Sequence, residues 1–151
     1  MDLNSGAVPA AGVAIFNAHA QILLGTHHRD GRWATFGGRV EAGESSREAA
    51  VREVLEEVGV RLSGDLHELG VFGGSSLYTV SYPGWGPTSY EVTMYAAIVH
   101  RTLNIVRQTT EIAEVRWIDV SALDDVDLAC DMQEIIPAAC TWYSAQSPYA
   151  S

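Results

Sequence analysis

The sequence contains no lysine: all nine of its basic residues are arginine, set against 19 aspartate and glutamate residues. The resulting net charge of −10 argues against a nucleic-acid polymer or an anionic membrane as the main partner, because both repel an acidic surface. It leaves room for a small anion held in one local basic pocket. Only two cysteines are present, Cys130 and Cys140, too few and too oddly spaced for a disulfide framework or a zinc site. Reduced thiols in a cytoplasmic protein are the expectation. The N-terminal stretch MDLNSGAVPAAGVAIF has no basic leader, and no apolar run approaches membrane-spanning length. Repeats, low-complexity tracts and long linkers are also missing. A chain of 151 residues with 47% hydrophobic content therefore reads as one domain, residues 1–151, with room for a proper core.

What is present has the punctuation of an α+β protein. AGVAIFNA (11–18) and QILLGTH (21–27) bracket a short polar turn and read as a β-hairpin. Further β-like segments lie at 67–72, 76–81, 90–100 and 114–120. SYPGWGPTSY (81–90), with two Pro and two Gly, is expected to be a loop. A second helix is expected from about Asp131 through MQEII, with Pro137 kinking or delaying it. The apolar segment AACTWYSA suits packing on its own sheet, or else the interface of a homodimer. Together these elements predict a mixed, mostly antiparallel sheet with helices packed on it.

The most informative stretch is GRVEAGESSREAAVREVLEEVGV (38–60), with six Glu and three Arg in 23 residues. Ser45 and Glu48 have the spacing of a capping box, and Gly59 supplies a left-handed stop, so the helix should span 46–58. Val51, Val54, Leu55 and Val58 share one side, leaving Glu53, Glu56 and Glu57 on the opposite arc. Like charges three and four residues apart cost roughly 0.2–0.5 kcal/mol each in water. In a recessed site the cost rises as the dielectric falls. A divalent cation reverses that balance, and hard oxygen ligands suit Mg²⁺ or Mn²⁺ together with substrate phosphates. The helix alone would equally suit a solvated acidic face. The loop before it adds Gly37-Gly38, which let backbone approach a ligand closely, and helix-start N–H groups that favour anions. That combination points to a polyphosphate chelated to metal.

The same residues resemble the signature box of the Nudix (MutT-like) hydrolases. Gly38, Glu44, Arg52, Glu53, Val54, Glu56, Glu57, Gly59 and Val60 match all nine of its positions. With average residue frequencies, a chance match somewhere in the chain is on the order of 10⁻⁷. The resemblance implies an α/β/α sandwich and a small-molecule nucleotide substrate. It also implies hydrolysis of a nucleoside diphosphate derivative, by water attack at phosphorus. Glu53, Glu56 and Glu57 would be metal ligands, with Gly38 lending a carbonyl. Glu53 or a carboxylate outside the box would activate the water. Glu44 and Arg52 would hold the loop and helix together. Glu91, Glu111 and Glu114 are candidates for the outside carboxylate, with Glu111 favoured.

Arginine suits phosphate because its planar fork makes paired bonds, and six of the nine arginines lie between positions 29 and 61. Arg32 and Arg39 are the expected phosphate contacts, beside the backbone of Gly37 and Gly38. Trp33, Phe36, Tyr78 and Trp85 could stack on a nucleobase, or serve core and loop packing. His27 and His28, next to Arg29, could reach phosphates. Phe36 stands where family members commonly have Pro. The motif typical of NADH-specific members is absent, and so is the Pro that often marks ADP-ribose members: positions 75–77 read Ser-Ser-Leu. A nucleoside triphosphate is the default substrate. The alternatives are a dinucleoside polyphosphate, an ADP-sugar, or a non-catalytic module that only binds nucleotide.

Overall fold

A computed structural model describes residues 6–63, 65–82, 84 and 86–146. The described residues form the strands β1 (Ala7–Asn17), β2 (Gln21–His27), β3 (Trp33–Ala34) and β4 (Phe36–Arg39), followed by the helix α1 (Ser46–Val58). Then come β5 (His67–Gly73), β6 (Thr79–Tyr82), β7 (Gly86–Val99), β8 (Ile112–Asp119) and the helix α2 (Met132–Ser144).

β1 is the organising strand. It runs parallel to β7 in unbroken register from Ala7↔Ser89 to Asn17↔Val99, while the other strand pairs are antiparallel. The result is an α+β fold around a mixed, mostly antiparallel sheet. Successive side chains of a strand point to opposite faces, so a strand covered on both sides must be apolar throughout. β1 meets that demand. Ala11, Val13 and Ile15 face a core shared with Ala49, Ala50, Val54 and Val58 of α1. Ala14 and Phe16 face the other core, with Met132, Ile135, Ala139 and Tyr143 of α2. Phe16 stacks on Tyr143, with ring centroids 4.6 Å apart. The apolar C-terminal segment thus packs on its own sheet.

Several expectations need correction. The described residues of the Pro- and Gly-rich stretch 81–90 are mostly strand: β6 and β7 pair antiparallel, with Tyr82 opposite Gly86 and Ser81 opposite Pro87. Composition marked the turn but overstated its length, because an edge pairing tolerates Pro where its missing N–H is not needed. Trp85 lies outside the described residues. Ser76–Tyr78 is a 3₁₀ turn, and strand begins only at Thr79. Pro137 does not delay α2, which continues through it to Ser144. Among the described residues no helix is long and apolar enough to cross a membrane.

Candidate active site

α1 begins and ends where its caps dictate. Ser45 accepts from the Glu48 amide at 3.1 Å, and the Glu48 carboxylate accepts from the Ser45 amide at 2.8 Å. Gly59 takes the left-handed conformation, φ 70°, and donates to the Leu55 carbonyl at 3.0 Å. The expectation that free N–H groups at the helix start would face the ligand is not met. The capping box occupies that end, and no residue of the first turn lines the cleft described below.

The three signature carboxylates do not share one face. Glu57 is buried, 8% exposed, with Val54 and Val58, and its Oε1 accepts from the Gly37 amide at 2.9 Å. Glu53 stands beside Gly38, so close that a Cβ on Gly38 would lie 2.5 Å from the carboxyl carbon. Glu56 is more exposed and is held by Arg52 at 3.0 Å. The glycine pair is required by packing as well: a Cβ on Gly37 would sit 2.3 Å from the Ala11 carbonyl oxygen. β4 pairs with β1 there, Gly38 opposite Ala11 and Gly37 opposite Gly12, and so brings its backbone against α1.

Arg52 ties this motif together. Its fork spans both Glu44 oxygens, at 2.7 and 3.0 Å, while Nη1 reaches Glu53 at 2.9 Å and Nη2 reaches the Arg39 carbonyl at 2.9 Å. The hydrogen bonds from Arg52 hold the Glu44 carboxyl below the usual carboxylate range. Burial pushes Glu53 up, with Arg52 partly offsetting it. Burial, followed by the charges of Glu53 and Glu111, pushes Glu57 up to about 8. Carboxylates crowded out of water and against one another shift in this direction unless a cation joins them.

A cleft of about 460 Å³ opens over this platform. It brings together Phe36, Gly37, Gly38, Arg39, Glu53, Glu57, Tyr78 and Glu111. His27, Arg29, Thr35, Glu41, Tyr90 and Asp131 add to its polar lining. Arg32 and Trp33 do not join it: Arg32 pairs with Asp127 and donates to the Cys130 sulfur at 3.2 Å, and Trp33 packs on the α2-side core beneath Arg116. Glu56, Arg52, Glu44, Glu91, His28 and Glu114 also lie off the lining; Glu114 is engaged by Arg116. Tyr78 is fully buried and donates to Glu134 at 2.8 Å. Phe36 is equally buried, in the α1-side core, so it serves as wall and core at once. Burial, with Arg29 next, lowers the His27 pKa, and burial raises that of Asp131. A larger groove, about 610 Å³ between Arg61–Leu66 and Ala97–Arg101, contains none of the signature carboxylates.

The sequence reading missed Asp131 as a cleft residue. It sits just before α2, and only the packing of that helix against β1 and β5 turns it inward. Tyr90 was missed for a similar reason, since it was assigned only to a strand.

The NUDIX domain family model matches residues 6–139 of this chain. The chain belongs to the Nudix family. Among its curated relatives, the NAD-capped RNA hydrolase NudC of Vibrio atlanticus is 31% identical over 120 residues, covering 78% of this chain and 39% of the relative. A putative 8-oxo-dGTP diphosphatase of Bacillus subtilis is 51% identical over 47 residues, 31% of this chain and 32% of that one. The chain thus spans about two fifths or less of the length of these relatives. The Nudix domain of Shewanella oneidensis NrtR, solved with ADP ribose, superposes with a TM-score of 0.75 at 18% identity, covering 95% of this chain and 94% of the other. The MutT protein of Methanosarcina mazei gives 0.74 at 17% identity, with 94% and 99% covered. These two likenesses establish the Nudix fold.

Nudix hydrolases generally use a divalent metal. Among the described residues no three His, Cys, Asp or Glu side chains form a ready ligand group. The reason is visible: Arg52 holds Glu53 and Glu56, while Glu57 is drawn to Gly37. The donor chemistry nevertheless fits a hard cation. The Glu53 and Glu57 carboxylates and the Gly38 backbone meet in the cleft, and both carboxyls are raised in pKa, chiefly by burial.

Proposed function

We propose that this Nudix chain is a metal-dependent hydrolase that cleaves a phosphoanhydride bond of a nucleoside diphosphate derivative. The default reaction takes a nucleoside triphosphate to a monophosphate plus pyrophosphate. One observation carries the reading: a single cleft joins the Glu53, Glu57 and Glu111 carboxylates to Arg29, Arg39 and an apolar wall containing Phe36 and Met94.

In this reading Glu53, Glu57 and the Gly38 carbonyl would hold Mg²⁺ or Mn²⁺, with Glu56 at the rim. When bound, such a metal would supply positive charge at the phosphoryl oxygens and lower the pKa of the attacking water. Arg39 and Arg29 orient the phosphates, and the Phe36 side of the cleft receives the base. Glu111 takes the proton from the water. It suits that role better than Glu53, because Glu53 is held by Arg52 while the Glu111 carboxylate has no ion-pair partner among the described residues. Arg52 and Glu44 keep the platform in place.

A second reading is a dinucleotide-type substrate. The likeness to NudC, a NAD-capped RNA hydrolase, over 78% of this chain favours it. A turnover panel separates the two: NTPs, dNTPs, oxidised dGTP, ADP-ribose, NADH, dinucleoside polyphosphates and NAD-capped RNA, each with Mg²⁺ and with chelator. Mg²⁺-dependent release of pyrophosphate and a monophosphate, lost in Glu57→Gln, is the expected result. Nucleotide binding without turnover on any member would leave a non-catalytic module instead.

A further inference from the structure

The connection from β7 to β8, residues 100–111, has no regular secondary structure, yet it is fastened to the end of α1. Val106 donates to the Val58 carbonyl and Gln108 to the Glu57 carbonyl, both at 2.9 Å. These carbonyls belong to the last turn of α1 and have no donor within the helix. The Gln108 side chain turns back to the Val106 carbonyl at 3.1 Å and lies over Gly59. A Cβ on Gly59 would sit 3.0 Å from Gln108 Nε2 and 3.3 Å from the Val106 oxygen. Leu103 and Ile105 pack into the α1-side core.

Three residues beyond Gln108 the chain reaches Glu111, itself held at both backbone ends. The Glu111 amide donates to Thr109 Oγ1 at 3.2 Å, and its carbonyl accepts from the His28 amide at 2.9 Å. The β2–β8 register shifts immediately afterwards, at Thr26/His27, the kind of irregularity that re-aims a neighbouring side chain. The main chain of Glu57, whose carboxylate lines the cleft, is therefore linked through Gln108 to the segment presenting Glu111 across the same cleft.

We propose that residues 105–111 form a brace, seated by Gln108 against Gly59, that sets the position of Glu111 relative to Glu53 and Glu57. Gln108 is a positioning residue in this arrangement, and Gly59 has a second duty beyond ending the helix: its missing side chain is the seat. The inference rests on the reading of Glu111 as the proton acceptor. A misplacement of about 1 Å at a reacting group costs on the order of 10²-fold in rate, so a brace of this kind acts on kcat rather than on substrate binding.

Gln108 is exposed, so Gln108→Ala leaves the core untouched. Its effect is to be measured alone, with Glu111→Gln, and in the double variant, alongside amide hydrogen exchange at Val106 and Gln108 in metal-free protein. The expected result for Gln108→Ala is a kcat reduced roughly 10-fold with KM within about twofold, and faster exchange at both amides. In the double variant kcat should fall no further than in Glu111→Gln alone, because residues acting as one unit are not additive. Unchanged kcat and exchange in Gln108→Ala, with a slow Glu111→Gln, would overturn the brace and leave the hydrolytic reading standing. Full multiplication of the two losses would also overturn it. An unimpaired Glu111→Gln would instead remove the proton-acceptor reading on which the brace rests.

Discussion

Arg52 grips Glu44 with both arms of its guanidinium, Nε at 2.7 Å and Nη2 at 3.0 Å, while Nη1 holds Glu53. One cation thus joins the loop before α1 to the carboxylate platform on it. A lysine keeps the charge but cannot reproduce a planar fork. Arg52→Lys is expected to fold, as judged by circular dichroism, and to lose about 10–100-fold in kcat/KM, the usual effect of disturbing groups that orient ligands. Unchanged kinetics would show that the fork is dispensable.

Binding of Mg²⁺ to the folded state alone stabilises it by mass action, about 2.7 kcal/mol at a hundred times the dissociation constant. For a domain of this size each kcal/mol moves the unfolding midpoint by about 2–4 °C. Adding Mg²⁺ should therefore raise the midpoint of the parent protein by several degrees. Glu57→Gln should show little or no rise, since it removes one of the two carboxylates that line the cleft on α1. Differential scanning calorimetry with and without chelator reads this directly, and equal rises in the two proteins would exclude Glu57 as a ligand.

Gly37→Ala would drive a Cβ to 2.3 Å from the Ala11 oxygen and 2.7 Å from the Gly12 Cα, both backbone atoms that cannot swing aside. Overpacking of this kind costs about 1–3 kcal/mol or more, and urea unfolding should show it. Gly6→Ala is the contrast: nothing lies within 4 Å of its Cβ, and the change should stay within about 0.5 kcal/mol.

The fold raises the pKa of Asp131 above its ordinary value of 3.8, chiefly by burial. A carboxyl raised in this way favours the folded state fully below its unfolded pKa, and that contribution is lost as pH rises through the folded value. Asp131→Asn removes the titration while keeping the size and shape of the side chain. The variant should therefore gain in thermal midpoint relative to the parent as pH is raised from about 4 towards neutrality. A difference between the two proteins that stays flat with pH would contradict this.

Periodicity and capping chemistry are local, and so the sequence alone determined α1 to the residue, from Ser45 as cap to Gly59 as stop. The Arg52 contact to Glu56 is likewise local, because residues four apart on a helix are neighbours. The β1–β2 hairpin was legible for the same reason. Its strands are short apolar runs around a polar turn.

Only the tertiary structure decided which carboxylates face the cleft. Helical spacing put Glu57 with Glu53 and Glu56, but the approach of β4 buries Glu57 and leaves Glu56 at the surface. Arg29 and Arg32 are three residues apart with the same chemistry, yet one lines the cleft and the other pairs with Asp127. Glu111 and Asp131 both line the cleft, one through the β7–β8 connection and the other through the start of α2. Their meeting depends on contacts between residues far apart in the chain, which no local pattern encodes.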